Sequence, residues 1–185
     1  MKAPSPILEA LYRHAFQEAE DLAEGADLSL WEAAALGRVA DLERWVARGA
    51  GAGGPAADGF TALHLACYFG HPEAAASLLA QGADPAAPAP GGLQPLHSAL
   101  ASPALTSVPA LVRMLLAAGA PVNAVQRGGF TAFHAAAQRG SIELSELLLG
   151  AGANPELRNG TGEGAEDLAR GKGQSEWLAW WHGRA

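Results

Sequence analysis

A short sequence pattern occurs four times in this chain at nearly constant spacing. It is GFTALHLA at 59–66, GLQPLHSA at 92–99, GFTAFHAA at 129–136 and, in degraded form, GEGAEDLA at 162–169. Successive copies are therefore 33, 37 and 33 residues apart. A fixed period of this length indicates one structural unit that is stacked along the chain, in which each unit contacts only its neighbours.

A second landmark has the same period. Gly-Ala pairs occur at 49–50, 82–83, 119–120 and 152–153, again with steps of 33, 37 and 33 residues. The glycine of each pair precedes the threonine position of the next copy by twelve residues. Projecting the first pair backwards adds a further unit, with Trp31 where the other units have histidine. The chain therefore contains five units.

Each unit predicts a helix, a turn and a helix. Thr61 and Thr131 stand where a side-chain oxygen would cap the first helix, and Gly70 and Gly140 stand at the break between the helices. Each helix spans only two to three turns, which is too short to be stable alone in water. Their stability must come from stacking, and the connectors are rich in Gly, Pro, Asn and Asp.

The unit resembles the ankyrin repeat, through TALHLA, then GHPE, then LLAQGAD, within 33 residues. The resemblance covers about residues 28–182. It implies an all-α solenoid of stacked helix-turn-helix units with β-turn or hairpin connectors. The third unit departs from the pattern through Gln94 at the threonine position and through four extra residues within ALASPALTS. The fifth departs through Gly164 and Asp167.

The resemblance implies a single domain over residues 1–185. Its predicted parts are an N-terminal capping helix at 1–27, repeats at about 28–55, 56–88, 89–125 and 126–158, and a capping repeat at 159–185. Apolar residues at helical spacing from Ile7 to Leu22 support the first part. A detachable helix that binds a partner or lies on a membrane surface is the alternative interpretation of this segment.

Charge and composition narrow the classes of partner and the location. The net charge of −7 and the lack of a basic stripe argue against nucleic acid. Apolar runs end before the roughly 18 residues of a membrane span. We therefore expect a cytoplasmic, monomeric protein. The scarcity of lysine beside abundant Arg, Ala, Gly and Pro suggests a GC-rich, bacterial source. Cys67, the sole cysteine, is expected to be a core residue.

Three histidines occupy equivalent positions, His64, His97 and His134, so a shared zinc site must be considered. Equivalent residues of stacked helices lie roughly 8–10 Å apart, whereas zinc ligands lie about 2 Å from the metal. The period that aligns the histidines therefore keeps them apart. In ankyrin-like repeats this residue ties the helix start to neighbouring connectors, and we predict a structural role and no metal.

Catalytic sequence patterns are missing from the chain. It has no G-x-S-x-G, no H-E-x-x-H and no phosphate loop ending in Gly-Lys-Ser or Gly-Lys-Thr. The glycine-rich run at 49–55 lies in a connector without a phosphate-binding lysine. We expect no enzymatic activity, no catalytic residue and no cofactor.

The resemblance implies that binding uses the concave surface formed by connector tips and first helices. Phe60, Leu93 and Phe130 recur at one tip position, where polar residues would be usual. They could form an apolar contact surface, or Phe60 and Phe130 could pack onto the neighbouring tips. The full set of candidate binding residues is Asp58, Phe60, Tyr68, Phe69, Leu93, Arg127, Phe130, Gln138, Arg139 and Lys172.

These features predict a protein interaction module that binds a protein or peptide through the concave face. A regulatory or inhibitory subunit of one enzyme or toxin would have a similar sequence and is the alternative. An enzyme with an unrecognised site is a third hypothesis, which would require ionisable residues that converge in a closed pocket.

Overall fold

The computed structural model describes residues 5–49 and 54–184, which form twelve α-helices. In chain order the helices are α1 (Pro6–Tyr12), α2 (Phe16–Ala23), α3 (Leu30–Ala35), α4 (Val39–Ala47), α5 (Ala62–Phe69), α6 (Pro72–Ala80), α7 (Pro95–Ala101), α8 (Val108–Ala117), α9 (Ala132–Arg139), α10 (Ile142–Gly150), α11 (Ala165–Gly171) and α12 (Ser175–His182).

The helices from α3 onward form five pairs, stacked in two rows. The first helices contact one another in the order α3, α5, α7, α9 and α11, and the second helices α4, α6, α8 and α10 form the other row. Each pair contacts the pairs before and after it, as in a solenoid. The predicted all-α solenoid of helix-turn-helix units is confirmed.

The connectors turn back at their tips through short hairpins. Single antiparallel bridges join Ala89 to Leu93 and Gln126 to Phe130. Two further connectors close in the same way, because the Ala56 N–H donates to the Phe60 carbonyl at 2.7 Å and the Asn159 N–H donates to the Glu163 carbonyl at 2.9 Å. Each tip therefore holds the residue before the helix start in an extended conformation.

The core combines small residues on the first helices with leucines on the second helices. Alanines let neighbouring first helices approach closely, and the leucines fill the space between the rows. The fully buried members are Ala62, Ala66, Ala99, Ala136, Leu42, Leu78, Leu111, Leu115 and Leu148. Cys67 is also buried in this core, where burial raises the pKa of its thiol.

The N-terminal segment contains two helices, whereas a single capping helix was predicted. Helix α1 ends after Tyr12, and His14 has a left-handed backbone with φ of 59°. The turn lets both short helices bury a face, with Leu11 at the end of α1 and Ala19 in α2. A continuous helix would have buried Phe16, which is instead 50% exposed.

The C-terminal end of the stack is closed by tryptophans from α12. Trp177 is fully buried, and its indole N–H donates to the Ser145 hydroxyl at 2.8 Å. Trp181 stacks on Trp177, and both rings lie beside Phe133 of α9. This cluster covers the apolar face that the last repeat would otherwise expose.

The insertion of the third repeat is fixed by both neighbouring repeats. The connector that contains it spans residues 102–107 between α7 and α8. Arg139 of the fourth repeat donates to the Ser102 carbonyl at 2.7 Å. On the other side Ala104 packs on Gly70, where a Cβ atom would lie only 2.4 Å from the Ala104 Cβ atom. The insertion therefore has a defined position in the stack.

Replacing Gly70 by alanine tests this packing. Gly70 and Gly82 both have left-handed backbones, with φ of 81° and 85°, but a Cβ atom at Gly82 would meet nothing within 4 Å. We expect Gly82→Ala to lower the free energy of unfolding by about 1 kcal/mol through backbone strain alone. Gly70→Ala should cost about 2–4 kcal/mol, because overpacking is added to the strain. Equal costs in urea denaturation would show that the insertion does not press on Gly70.

Candidate partner-binding site

The histidine of the second repeat uses both ring nitrogens. Nδ1 of His64 accepts from the Thr61 backbone N–H at 3.3 Å and lies 2.8 Å from the Thr61 hydroxyl. Nε2 lies 3.3 Å from the Leu93 carbonyl, which can only accept, so Nε2 carries the proton. The imidazole thus joins the start of α5 to the connector tip of the next repeat.

Related contacts recur in the next two repeats, although the carbonyl bonded by His97 lies six residues before Phe130, the counterpart of Leu93. His97 accepts from the Gln94 N–H at 3.1 Å and lies 3.1 Å from the Ala124 carbonyl. His134 accepts from the Thr131 N–H at 3.1 Å, but its buried Nε2 has no well-formed hydrogen bond among the described residues. In the fourth repeat, the histidine therefore keeps the contact at the start of its own helix but lacks a well-formed hydrogen bond to the next connector.

This geometry leaves His64 and His97 without a free lone pair for metal binding or proton abstraction. A metal ligand needs an unprotonated nitrogen with an available lone pair, whereas here Nδ1 accepts a backbone N–H and Nε2 is protonated. Within residues 5–49 and 54–184, no three His, Cys, Asp or Glu side chains lie close enough together to hold a metal ion. The geometry therefore favours a structural role for these two rings.

Burial lowers the pKa of each aligned histidine. At His64 and His97 the hydrogen bond to a backbone carbonyl offsets part of this effect. At His134 the carbonyls of Leu157 and Glu163 offset part of it. Burial lowers the pKa of His71 in the same way. All four imidazoles are therefore stabilised in the neutral form by the folded state.

Acid should destabilise the stack in a defined pH window. A histidine has a pKa of about 6.5 in the unfolded chain, and burial lowers it in the folded chain, so the unfolded state binds more protons as the pH falls. The free energy of unfolding should be nearly constant above about pH 7.5 and should decrease as the pH falls through about 6.5. His97→Gln should make the decrease shallower in urea denaturation at several pH values. An increase in stability between pH 6.5 and 5.5 would contradict this.

Gln94 is the weak point of the repeated helix start. Its side-chain oxygen is buried and has no hydrogen-bond partner among the described residues, whereas Thr61 and Thr131 accept from the backbone N–H of the following histidine. We expect Gln94→Thr to raise the free energy of unfolding by about 1 kcal/mol, the usual contribution of a cap. Thr131→Gln is the reverse control and should lower it. A loss of stability in Gln94→Thr would show that this repeat needs its glutamine.

A second set of contacts between repeats lies at the turns between paired helices. Nε2 of His71 lies 3.0 Å from the Ala35 carbonyl in the preceding repeat, and Nε2 of Gln174 donates to the Gln138 carbonyl at 2.8 Å. In both cases the carbonyl lies two residues before the turn glycine. Gly140 is also a site of close approach, because a Cβ atom there would meet the Gln174 amide. The sequence did not reveal these contacts, because His and Gln share no motif.

The concave face contains a mostly apolar pocket of about 260 Å³. Three predicted binding residues, Phe60, Tyr68 and Leu93, meet there. The remainder of the lining comes from the first helices and from α1, and consists of Tyr12, His64, Leu65, Ser98 and Ala101. Phe60 packs edge-on against His64, with ring centroids 5.7 Å apart. The His64 ring thus supports the Phe60 ring in the lining of the pocket.

Tyr12 completes the pocket and was missed by the sequence analysis. Its hydroxyl donates to Oδ2 of Asp58 at 2.8 Å, and Oδ1 of Asp58 accepts from the Phe60 N–H at 3.1 Å. Burial raises the pKa of the Tyr12 phenol, and the hydrogen bond to Asp58 raises it further. The N-terminal segment is therefore joined to the tip of the second repeat, 46 residues away.

Phe69 lies away from the concave surface. It is only 7% exposed and packs against Tyr12, with ring centroids 5.9 Å apart. One residue corresponds to about 100° around a helix, so Tyr68 can face the pocket while Phe69 faces α1. The expectation that both rings are available to a partner is corrected for Phe69, which belongs to the core.

Two predicted residues of the fourth repeat lie at its tip, away from the pocket. Phe130 is half-buried and packs edge-on against His134, with centroids 5.9 Å apart. Arg127 is exposed and lies over Gly91 of the preceding tip, where a Cβ atom would be 3.5 Å from the Arg127 Cβ atom. Both positions continue the row of tips beyond the pocket.

The remaining three candidates lie at the opposite ends of the first helices. The carbonyl of Gln138 accepts from Gln174, and Arg139 holds Ser102 in the insertion. Both side chains are half-buried, and Arg139 is engaged in contacts between repeats. Lys172 follows α11 and is exposed. The structure does not bring these residues together with Phe60, Tyr68 and Leu93.

A larger depression lies on the second helices, between α8 and α10. It measures about 540 Å³, is shallow, and is lined by Arg113, Leu116, Glu143 and Leu147 among others. Its one cationic side chain is already paired, since Arg113 donates to Glu143 at 2.5 Å. The concave pocket is the better candidate for binding a partner, because its lining is mostly apolar and one of its residues, Tyr12, is hydrogen-bonded to the Asp58 carboxylate.

Comparison with known proteins supports the repeat assignment. The chain matches sequence families described as "Ankyrin repeats (3 copies)" over residues 30–124 and "Ankyrin repeats (many copies)" over residues 107–149. No helix in the described part of the chain is long and apolar enough to cross a membrane.

Relatives of several kinds share this region. The B-cell lymphoma 3 protein homolog of Mus musculus is 39% identical over 103 residues, covering 55% of this chain and 22% of that protein. The probable E3 ubiquitin-protein ligase XBOS34 of Oryza sativa subsp. japonica is 39% identical over 107 residues, covering 57% and 20%. The neurogenic locus notch homolog protein 1 of Xenopus tropicalis is 30% identical over 131 residues, covering 55% and 5%. The chain thus spans about a fifth or less of these relatives, and it belongs to the ankyrin-repeat family.

Proposed function

We propose that the chain is a non-catalytic interaction module that binds a protein or peptide on its concave face. The observation that carries the proposal is the convergence of Phe60, Tyr68, Leu93 and Tyr12 on one pocket. Partly exposed aromatic side chains are enriched among residues that dominate binding energy. Stacked repeats also present extended concave surfaces that are suited to this use.

His64 lines the pocket and also joins neighbouring repeats. The hydrogen bonds of His64 are satisfied within the chain. Tyr68 packs edge-on against Phe69 through its ring, with centroids 5.1 Å apart, while its other face borders the pocket. A partner can therefore contact Phe60 and Tyr68 while the contacts between repeats remain in place.

The setting of this module is part of the proposal. We propose that it acts as a monomer in the cytoplasm, and that neither nucleic acid nor a membrane is its partner. The relatives named above come from a mouse, a rice plant and a frog. The bacterial source therefore stays a prediction. An inhibitory or regulatory subunit would use the same surface, and identification of the captured protein distinguishes it from an adaptor.

Affinity capture with matched variants tests the proposal. Tyr68→Ser removes a ring from the pocket, and Leu79→Ser removes a partly buried apolar side chain from α6 of the same repeat. We expect Tyr68→Ser to weaken partner capture from a lysate of the source organism about tenfold or more, as loss of a central aromatic anchor does. Leu79→Ser should retain capture when both variants are folded by circular dichroism. Capture that is unchanged in Tyr68→Ser would contradict the assignment of the face.

A further inference from the structure

The size of the concave pocket favours a single side chain as its occupant. Sites for small molecules usually enclose about 300–1,000 Å³, and this pocket measures about 260 Å³. Protein interfaces commonly insert one anchor residue into a pocket of this kind. The lining by Phe60, Leu65, Tyr68 and Leu93 is apolar, so the inserted side chain should be apolar as well.

The Asp58 carboxylate, which is hydrogen-bonded to two pocket residues, can accept further hydrogen bonds. Asp58 accepts one hydrogen bond on each oxygen, from the Phe60 N–H and from the Tyr12 hydroxyl. An ionised carboxylate has about four acceptor positions, so about two remain. Among the described residues, no Lys, Arg or His nitrogen lies within 4.0 Å of it.

The position of this charge relative to the pocket is fixed. The hydroxyl that donates to Asp58 belongs to Tyr12, and the N–H that donates to it belongs to Phe60, and both of these side chains line the pocket. The carboxylate is therefore one hydrogen bond away from two residues that line the pocket. A cation attached to the same segment as the inserted side chain would meet it without moving Tyr12 or Phe60. The net charge of −7 also attracts a cationic segment at long range.

We propose that the pocket receives a large aliphatic side chain from a protein segment that carries a lysine or arginine next to it, and that this cation pairs with Asp58. The inference rests on the proposed function, because it specifies the partner that the concave face accepts. Charge complementarity makes the pocket selective. A segment with an acidic or neutral residue next to the inserted side chain would gain no binding energy from the Asp58 carboxylate.

A pair of small probes tests the inference without knowledge of the partner. The 3-methylbutylammonium ion carries an aliphatic group and a cation, and 3-methylbutan-1-ol carries the same aliphatic group without charge. Each is titrated at millimolar concentration into the ¹⁵N-labelled full chain, and the amide shifts of Phe60, Tyr68 and Leu93 are followed by NMR. Asp58→Asn removes the charge and keeps an oxygen for the Phe60 N–H.

Asp84→Asn is the matched control. Asp84 also accepts the backbone N–H two residues ahead, that of Ala86 at 2.8 Å, but Ala86 does not line the pocket, whereas Tyr12 and Phe60, which donate to Asp58, do. We expect the ammonium probe to bind the wild type about two- to fivefold more tightly than the alcohol, the usual effect of an exposed ion pair. The preference should disappear in Asp58→Asn, persist in Asp84→Asn, and weaken with added salt.

Three results would overturn the inference: equal binding of both probes to the wild type, a preference that persists in Asp58→Asn, or no shift at the three pocket amides with either probe. Failure of the proposed function would be distinguishable from these. If partner capture still depends on Tyr68 while the probes show no preference, the concave face binds a partner of different chemistry. If the probes bind as expected while capture ignores Tyr68, the concave face is not where the partner docks.

Discussion

The structure depends on a buried imidazole that bonds in two directions. In the second repeat, His64 accepts from the N–H of Thr61, the residue directly before its own helix, and donates to the Leu93 carbonyl of the next connector. The first bond sets where the helix begins, and the second sets how far the next repeat is displaced. A buried carbonyl or N–H without a partner costs about 1–3 kcal/mol, so each of these contacts favours one register of stacking. His97 repeats the arrangement with Ala124.

The same contacts position the surface that a partner would use. Leu93 receives the histidine bond through its carbonyl and directs its side chain to the pocket, and Phe60 rests edge-on against the same imidazole. The N-terminal segment contributes Tyr12 and is joined to the tip of the second repeat through Asp58. The concave pocket is therefore assembled from three parts of the chain, the N-terminal segment, the second repeat and the third repeat. The shape of the pocket depends on how these parts are aligned with one another. Of the side chains that line it, only that of His64 takes part in the histidine hydrogen bonds.

The repeat period was sufficient to predict the fold class and the helix starts, because a residue's place within the unit determines its place in the stack. It was not sufficient to predict which neighbours cover a side chain. Phe69 was expected on the concave surface, but the turn at His14 brings α1 against it, and that turn has no glycine to indicate it. Tyr12 was missed for the same reason, since its contact with Asp58 crosses 46 residues of sequence. Arg139 belongs to no motif, and its contact with Ser102 depends on an insertion that the period does not describe.

His64 and His97 act as structural groups, because both ring nitrogens of each are engaged within the chain. Long-range ¹H–¹⁵N correlation of the imidazole rings at pH 7, with and without zinc, tests this role most directly. The account predicts that His64 and His97 are neutral, carry the proton on Nε2 with an unprotonated Nδ1, and show no change when zinc is added. A proton on Nδ1, a charged ring, or a zinc-dependent shift of these resonances would contradict it.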